Sequence, residues 1–424
     1  MDQYQKSQDA NNAGDAGNVR PIPRISIQTF CETNGVKATI DAFTRDRRVQ
    51  RTHITNHMGG IRAAIEFYDN APTPNVIVIE SSLEGEALIH ELEELANVCD
   101  ADTRVVVIGH KNDVELYRRL IRFGVSEYLI TPIDVLDIIH TIGEMFVAPD
   151  ADPLGRSIVF MPAKGGSGSS TIAQNVAWTI STLFENEVML ADFDLAGGTV
   201  GLNFNQEPTR GINEALFAPE KLDETYLDRL LTKCTDHLNL LAAPAMLDRT
   251  YDFTSQSVDA LIEAAQKSVP YMVGDLPYGW TSWAESAVVS ADEVVITTTP
   301  DLAGLRNAKN LFDNIKQQRK TDPIPHVILN NVGRSKDTEI RPSQFEDALE
   351  IELAAVMPFE PSVFGTAMNN GQMIEESSPK SSLINDFRQL AGRLTGRTTQ
   401  TTAENKSSLM PLLNKLRGSL KKAS

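Results

Sequence analysis

The sequence IVFMPAKGGSGSST, residues 158–171, combines an apolar strand, a glycine-rich turn and a run of Ser and Thr that opens an apolar helix. In this order, the glycines let backbone N–H groups curve around an anion, and the helix directs the positive end of its dipole at that anion. The stretch therefore predicts a phosphate-binding loop between a strand and a helix.

The loop departs at two positions from the standard phosphate-binding pattern, G-x-x-x-x-G-K-[ST]. Ala163 stands in place of the first glycine, and Ser169 stands in place of the lysine that contacts the phosphates. A different lysine, Lys164, lies upstream of Ser169. An ammonium beside the β and γ phosphates is a charge-assisted contact worth about 1.5–3 kcal/mol. Without it, we expect backbone donors to keep nucleotide binding while phosphoryl transfer weakens.

Apolar strands and helices alternate through the second half of the chain. The apolar runs lie at residues 158–162, 187–192, 271–275, 293–297 and 326–330. Strands separated by helices imply βαβ units, a mostly parallel sheet and a layered α/β domain.

Polar residues follow these strands at the edge where parallel sheets bind ligands. Asp192, Asp194 and Asp275 stand at strand ends, and Ser170 lies at the start of the helix after the loop. The Ser170 hydroxyl suits Mg²⁺, the Asp275 carboxylate suits a metal-bound water, and Asp194 is placed to orient an attacking water, a catalytic role. The alternative for each is a helix cap or a solvated loop carboxylate. The order and spacing of the motifs favour a nucleotide site.

Residues 164–171 resemble the deviant Walker motif K-G-G-x-G-K-[ST]-T of the MinD/ParA P-loop ATPases, except at Ser169. The resemblance implies that ATP and Mg²⁺ are the ligands. It implies a catalytic role for Lys164, which crosses a homodimer to the phosphates of the partner subunit. The residues that it implies for nucleotide binding are Gly165, Gly166, Ser167, Gly168, Ser169, Ser170 and Thr171.

Later blocks resemble the same superfamily. Residues 189–204 resemble its second acidic motif, which implies that Asp192 contributes to the metal site. Residues 271–283 resemble its Walker B strand, which implies that Asp275 also lies at the metal. Asn330 falls where the family binds adenine.

Serine at position 169 resembles the CpaE/TadZ branch, the localisation factors of Tad and Flp-type pilus assembly. The resemblance implies an ATP-binding, dimerising protein that places pilus or secretion machinery, with weakened hydrolysis. The alternatives are a nucleotide-independent scaffold and a fully active MinD-like ATPase that cycles on the membrane.

Composition limits the class of protein. The chain has 424 residues, enough for two or three domains, and three widely spaced cysteines, as expected in a reducing cytoplasm. The first 20 residues contain no apolar segment of the kind found in a signal peptide. A net charge of −18 argues against a general nucleic-acid binder, and hence against a role in DNA partitioning.

The N-terminal part predicts a second α/β domain. Residues 1–23 are polar and are predicted to be disordered, whereas residues 24–147 contain five strand–helix alternations. The ending EYLITPID resembles a response-regulator receiver, which implies a flavodoxin-like, doubly wound fold. Glu80 stands where the phosphoacceptor Asp belongs, and Thr131 replaces the lysine before Pro132. We therefore expect a pseudo-receiver that docks partners; the alternative is an unrelated small α/β domain.

The remaining segments predict a linker, the ATPase domain and a tail. Residues 148–156 are the predicted linker, 157–395 the ATPase domain, and 396–424 a tether followed by a basic amphipathic helix. Residues 407–424 are predicted to bind an anionic inner-membrane surface, so the expected location is cytoplasmic and peripheral at the plasma membrane. The alternative is a helix that packs on a protein partner or on the ATPase domain. The leucines that form its apolar stripe are Leu409, Leu412, Leu413, Leu416 and Leu420.

Overall fold

The computed structural model describes residues 19–147, 153–208, 210–244, 253–335 and 337–397. Their strands form two separate sheets. We call the described residues up to 147 the first domain and those from 153 the second domain. The domain boundaries assigned from composition remain predictions, and the tail 407–424 lies outside the described residues.

The first sheet is parallel throughout and has the order β2-β1-β3-β4-β5. This is the doubly wound, flavodoxin-like order, so the fold class predicted for this part is confirmed. Its strands are β1 (Ser26–Cys31), β2 (His53–Met58), β3 (Val76–Glu80), β4 (Arg104–Gly109) and β5 (Glu127–Ile130). Its helices are α1 (Asn34–Phe43), α2 (Gly60–Tyr68), α3 (Gly85–Val98), α4 (Val114–Phe123) and α5 (Val135–Met145).

Helices cover both faces of this sheet. The central strand β3, with the sequence VIVIE, is buried at every position, as expected for a parallel strand between two helical layers. Ile40 and Ile138 belong to the core on one face, and Ile61 and Leu92 belong to the core on the other.

The packed part of the first domain begins before residue 24. Ile22 is only 1% exposed and lies in the core with Ile27 and Ile40. Its N–H donates to the carbonyl of Arg48 at 2.9 Å. Composition assigned Ile22 to the polar N-terminal segment because one apolar residue among polar neighbours produces no periodic pattern.

The second sheet has eight strands in the order β13-β12-β11-β6-β10-β7-β9-β8. All pairs are parallel except β8 with β9, so the predicted, mostly parallel sheet is confirmed. Its strands are β6 (Arg156–Pro162), β7 (Val188–Asp192), β8 (Thr232–Lys233), β9 (Leu238–Leu241), β10 (Tyr271–Asp275), β11 (Glu293–Thr298), β12 (His326–Val332) and β13 (Ala355–Pro358).

The helices of the second domain lie on both faces of this sheet and bury two apolar cores. Among the described residues, none of the helices combines the length and the apolar character that a membrane span requires. The helices are α6 (Ser169–Leu183), α7 (Val200–Asn203), α8 (Ile212–Phe217), α9 (Glu224–Leu230), α10 (Ser255–Ser268), α11 (Ser282–Ser290), α12 (Leu302–Gln318), α13 (Pro342–Leu349), α14 (Pro361–Asn370), α15 (Ile374–Ser377) and α16 (Leu383–Thr395).

Three strands of this sheet, β8, β9 and β13, were not among the predicted apolar runs. They have two to four residues and lie at the two ends of the sheet. Such short segments carry too few alternations for a period to be read. The strand that ends at the glycine-rich loop, β6, is central, and the strand order runs outward from it in both directions. A ligand site at the carboxyl end of β6 is therefore expected from the topology.

Candidate nucleotide-binding site

The loop after β6 takes the backbone shape that its glycines allow. Gly166 and Gly168 have φ values of 74° and 82°, in the left-handed region that favours glycine, and Gly168 is the N-cap of α6. A Cβ atom on Gly168 would lie 2.4 Å from Nδ2 of Asn330. The loop is therefore fitted closely against β12 at this residue.

Asn330 holds the loop from β12. Its Nδ2 donates to the carbonyl of Ser167 at 2.8 Å, and the side chain is buried. Its Oδ1 has no hydrogen-bond partner in the described structure. The family resemblance assigned Asn330 to the adenine; the structure places it against the loop backbone, with one buried acceptor unpaired.

Buried side-chain oxygens without partners surround the loop. Such atoms are rare, because an unpaired buried polar group costs about 1–3 kcal/mol. Thr297 lies in register with Pro162, at the base of the loop. The buried, unpaired oxygens here are Ser167 Oγ, Ser169 Oγ, Asp275 Oδ1, Thr297 Oγ1 and Asn330 Oδ1. Their number in one place fits a site that is completed by a polar ligand.

Gly165 and Gly166 leave room for that ligand. Both are exposed, and a Cβ atom on either would meet no heavy atom within 4 Å. The open side of the loop therefore faces away from the protein, with the N-terminus of α6 behind it. Phosphate oxygens fit this combination of space, backbone donors and helix dipole.

Two carboxyl groups lie side by side next to the loop. Asp192 and Asp275 are register partners at the ends of β7 and β10. Burial raises the pKa of Asp192 to about 7, although the N–H groups of Asp194 and Val200 donate to it and oppose the rise. Burial, followed by the charge of Asp192, raises the pKa of Asp275 well above its usual range, and Ser170 opposes this rise. A divalent cation bound here would relieve both effects, and oxygen ligands suit Mg²⁺.

Asp194 lies in the turn that follows β7. Its Oδ1 accepts the N–H of Gly197 at 2.9 Å, so the carboxylate closes its own turn in this structure. Gly198, in the same turn, would place a Cβ atom 2.3 Å from Oδ2 of Asp192. The structure thus brings Asp192 and Asp275 together and leaves Asp194 bonded to its own loop. A role for Asp194 in orienting water requires it to leave that bond.

Lys164 is paired within its own chain. Its Nζ donates to Oδ2 of Asp301 at 2.8 Å. Asp301 also accepts from the Thr299 hydroxyl at 2.6 Å and from the Gly304 N–H at 2.8 Å, as the N-cap of α12. Burial would raise the pKa of Asp301, but the hydrogen bonds from Lys164, Thr299 and Gly304 outweigh it and lower the pKa to about 2. The lysine is therefore held by a carboxylate at the rim of the site.

Sequence reasoning missed Asp301, Thr297 and Gly198 as members of this site. A signal existed for Asp301, since it begins a helix after the strand-end sequence TTTP, at the same sheet edge as the loop. The sequence contained no signal for Thr297 or Gly198. Thr297 matters through its strand register with Pro162, and Gly198 through its close approach to Asp192.

The domain with this site is similar to known P-loop proteins. No model of a protein family matches the chain. The septum site-determining protein MinD of Synechocystis sp. is 26% identical over 253 residues, which are 57% of this chain and 90% of that protein. The crystal structure of MinD from Pyrococcus horikoshii, complexed with Mg-ADP, covers 60% of this chain and 100% of its own at 20% identity, with a TM-score of 0.51. The second domain thus has the MinD/ParA-like fold.

A second similarity lies in the N-terminal region. A pilus assembly protein CpaE from Caulobacter crescentus is 41% identical, over 30% of this chain and 98% of the crystallised one. The chain is a CpaE-type member of the MinD/ParA superfamily. The assignment rests on the 41% sequence identity and not on the structural superposition, whose TM-score is 0.30. This chain therefore joins a receiver-like first domain to a MinD/ParA-like second domain, which confirms the predicted resemblance.

Proposed function

We propose that this CpaE-type chain is an ATP-binding, dimerising localisation factor for pilus or secretion machinery, in which ATP hydrolysis is weak. The observation that carries the proposal is the set of buried, unpaired oxygens around a glycine-rich loop whose lysine position holds Ser169. The similar Caulobacter protein is described as a pilus assembly protein, and the similar Pyrococcus MinD was crystallised with Mg-ADP. Both descriptions support the proposal for this chain.

The loop and the strand ends would bind different parts of the Mg·ATP ligand. The backbone of residues 165–171 would bind the phosphates. Asn330 would place its unpaired Oδ1 near the adenine base. Ser170, Asp192 and Asp275 would hold Mg²⁺, which neutralises phosphate charge when bound. Ser169 supplies a hydroxyl where a lysine would supply a full charge, so the transition state of phosphoryl transfer receives less stabilisation.

Lys164 links nucleotide binding to dimerisation in this proposal. Its present partner, Asp301, lies in the same chain, so the lysine must exchange one carboxylate for the phosphates of the partner subunit. The pair is partly exposed, at 32% for Lys164 and 44% for Asp301, and costs little to break, because ion pairs near the surface contribute about 0–1 kcal/mol. ATP would then favour the dimer by offering Lys164 a more highly charged partner.

An ATP titration with the oligomeric state measured alongside tests the proposal. ATP and Mg²⁺ should bind the wild type and shift it to a dimer, with turnover below about 1 s⁻¹, the low end of ordinary enzymes. Lys164→Ala should bind ATP and stay monomeric. Lys309→Ala is the matched control, because Lys309 forms a surface pair with Asp313 on α12, outside the loop, and its loss should leave dimerisation unchanged.

The second candidate is a scaffold that works without nucleotide. The pairing of Lys164 with Asp301 favours it, because the pair leaves no charged side chain of the loop unsatisfied. A dimer that forms equally well without ATP, together with no ATP binding at millimolar concentration, would establish the scaffold and refute the nucleotide proposal.

A further inference from the structure

A second charged cluster, which the nucleotide site does not use, lies where the two domains meet. It is centred on the short turn of residues 46–51, which we call the docking turn. Asp46 caps this turn by accepting the N–H of Arg48 at 2.9 Å. The charged residues that meet here are Asp46, Arg47 and Arg48 from the first domain and Asp292, Arg319 and Asp322 from the second.

Arg47 bonds across the domain boundary. Its Nε donates to Oδ2 of Asp322 at 3.0 Å, its Nη2 to Oδ1 of Asp292 at 3.2 Å, and its Nη1 to the carbonyl of Ser290 at 2.7 Å. The side chain is 8% exposed. Arg47 thus donates to two carboxylates and a backbone carbonyl of the second domain. Its side chain is nearly buried, and charge-assisted hydrogen bonds are strongest where water is excluded.

Arg48 also bonds the docking turn to Asp322. Its guanidinium is fully buried, pairs with Asp46 of its own domain and donates to Asp322 of the second. The hydroxyl of Thr321, beside Asp322, donates to Asp46. Burial would raise the pKa of Asp322, but Arg47, Arg48 and Arg319 outweigh it and lower the pKa to about 2. Three arginines and three aspartates meet in this cluster, so their formal charges balance.

The cluster lies at the amino-terminal edge of the second sheet. Asp292 directly precedes β11, and Asp322 precedes β12. Oδ2 of Asp292 also accepts the N–H and the hydroxyl of Ser157, in β6, at 2.9 and 3.0 Å. The phosphate-binding loop follows the other end of β6. The first domain is thus attached at the edge opposite the nucleotide site.

We propose that the docking turn is a charged contact that holds the first domain at the amino-terminal edge of the ATPase sheet without requiring nucleotide. Without Arg47, two carboxylates of the second domain would be buried with too little positive charge, a situation that is strongly destabilising. A partner bound to the first domain would therefore be held at the end of the molecule away from the nucleotide. The nucleotide face would remain free for a second copy of the chain.

The contact can be tested by cutting the chain between the domains. A site-specific protease sequence is inserted between residues 150 and 151 of the full chain, and the cut protein is analysed by size-exclusion chromatography without nucleotide. The wild-type halves should elute together at micromolar concentration. Arg47→Ala should weaken their association by about a hundredfold, so that they elute apart.

Arg51→Ala is the matched control. Arg51 belongs to the same turn and pairs across the boundary with Glu263, but both side chains are more than 40% exposed. Exposed pairs contribute little, so this variant should elute like the wild type. Asp322→Asn tests the contact from the second domain at nearly constant volume and should separate the halves, should Arg47→Ala not fold.

The proposal fails if the wild-type halves separate as soon as the chain is cut, or if Arg47→Ala and Asp322→Asn remain associated like Arg51→Ala. Separated halves that each unfold cooperatively on heating would show that the loss lies in docking and not in folding. Because the assay contains no nucleotide, its result is independent of the proposed ATP binding.

Discussion

Alanine substitution of the loop glycines should separate backbone strain from steric contact. Gly165 has neither a positive φ in the left-handed range nor a close neighbour, Gly166 has the positive φ alone, and Gly168 has both. Gly165→Ala should therefore stay within about 1 kcal/mol of the wild type in the free energy of unfolding. Gly166→Ala should lose about 1–2 kcal/mol, the cost of a left-handed conformation for an L-residue.

Gly168→Ala should lose more, because its Cβ atom would lie 2.4 Å from Nδ2 of Asn330. Relieving that clash breaks the hydrogen bond from Asn330 to the Ser167 carbonyl, worth about 0.5–1.5 kcal/mol. Added to the left-handed strain, the expected loss is about 1.5–3.5 kcal/mol.

Urea unfolding monitored by circular dichroism measures these differences, with ATP binding as the functional readout. Asn330→Ala removes the atom that clashes with the new Cβ at position 168. It should therefore lower the free energy of unfolding less in the Gly168→Ala variant than in the wild type. If Gly168→Ala is no more destabilising than Gly166→Ala, or if the two substitutions add without coupling, the close fit of the loop against Asn330 is refuted.

Three further predictions concern other parts of the chain. Glu80 is 1% exposed and already accepts the N–H groups of Glu32 and Thr33 at 2.6 and 2.8 Å, so incubation with a phosphodonor should leave no acyl phosphate on it; mass spectrometry that finds one would contradict this. Since the folded-state pKa of Asp322 is lowered from 3.8 to about 2, its stabilising contribution is complete above the higher value and lost as the pH falls between the two. Acid unfolding should accordingly be less steep over that range in Asp322→Asn than in the wild type, and equal slopes would argue against the buried ion cluster. Deleting residues 407–424 should abolish ATP-dependent co-sedimentation with anionic liposomes, and unchanged binding would exclude the tail as the anchor.

The alternation of long strands with helices in both domains could be predicted, because long apolar runs and glycine-rich turns are local signals. The residues of the loop were also identified from the sequence: residues 163–168 lie between β6 and α6, and Ser169 begins α6, as that pattern indicates. The roles of these residues remain predictions. The short strands β8, β9 and β13 gave no comparable signal.

Sequence by itself therefore determined the alternation of long strands with helices, the glycine-rich loop and the absence of a lysine at position 169. Only the tertiary structure decided that Asp192 lies against Asp275, that Lys164 pairs with Asp301, and that Arg47 meets Asp322, a residue 275 positions away. The physical reason is the distance along the sequence over which each kind of interaction acts. Backbone conformation and hydrophobic period depend on near neighbours, whereas these pairs depend on which strands are adjacent and on where one domain packs against another.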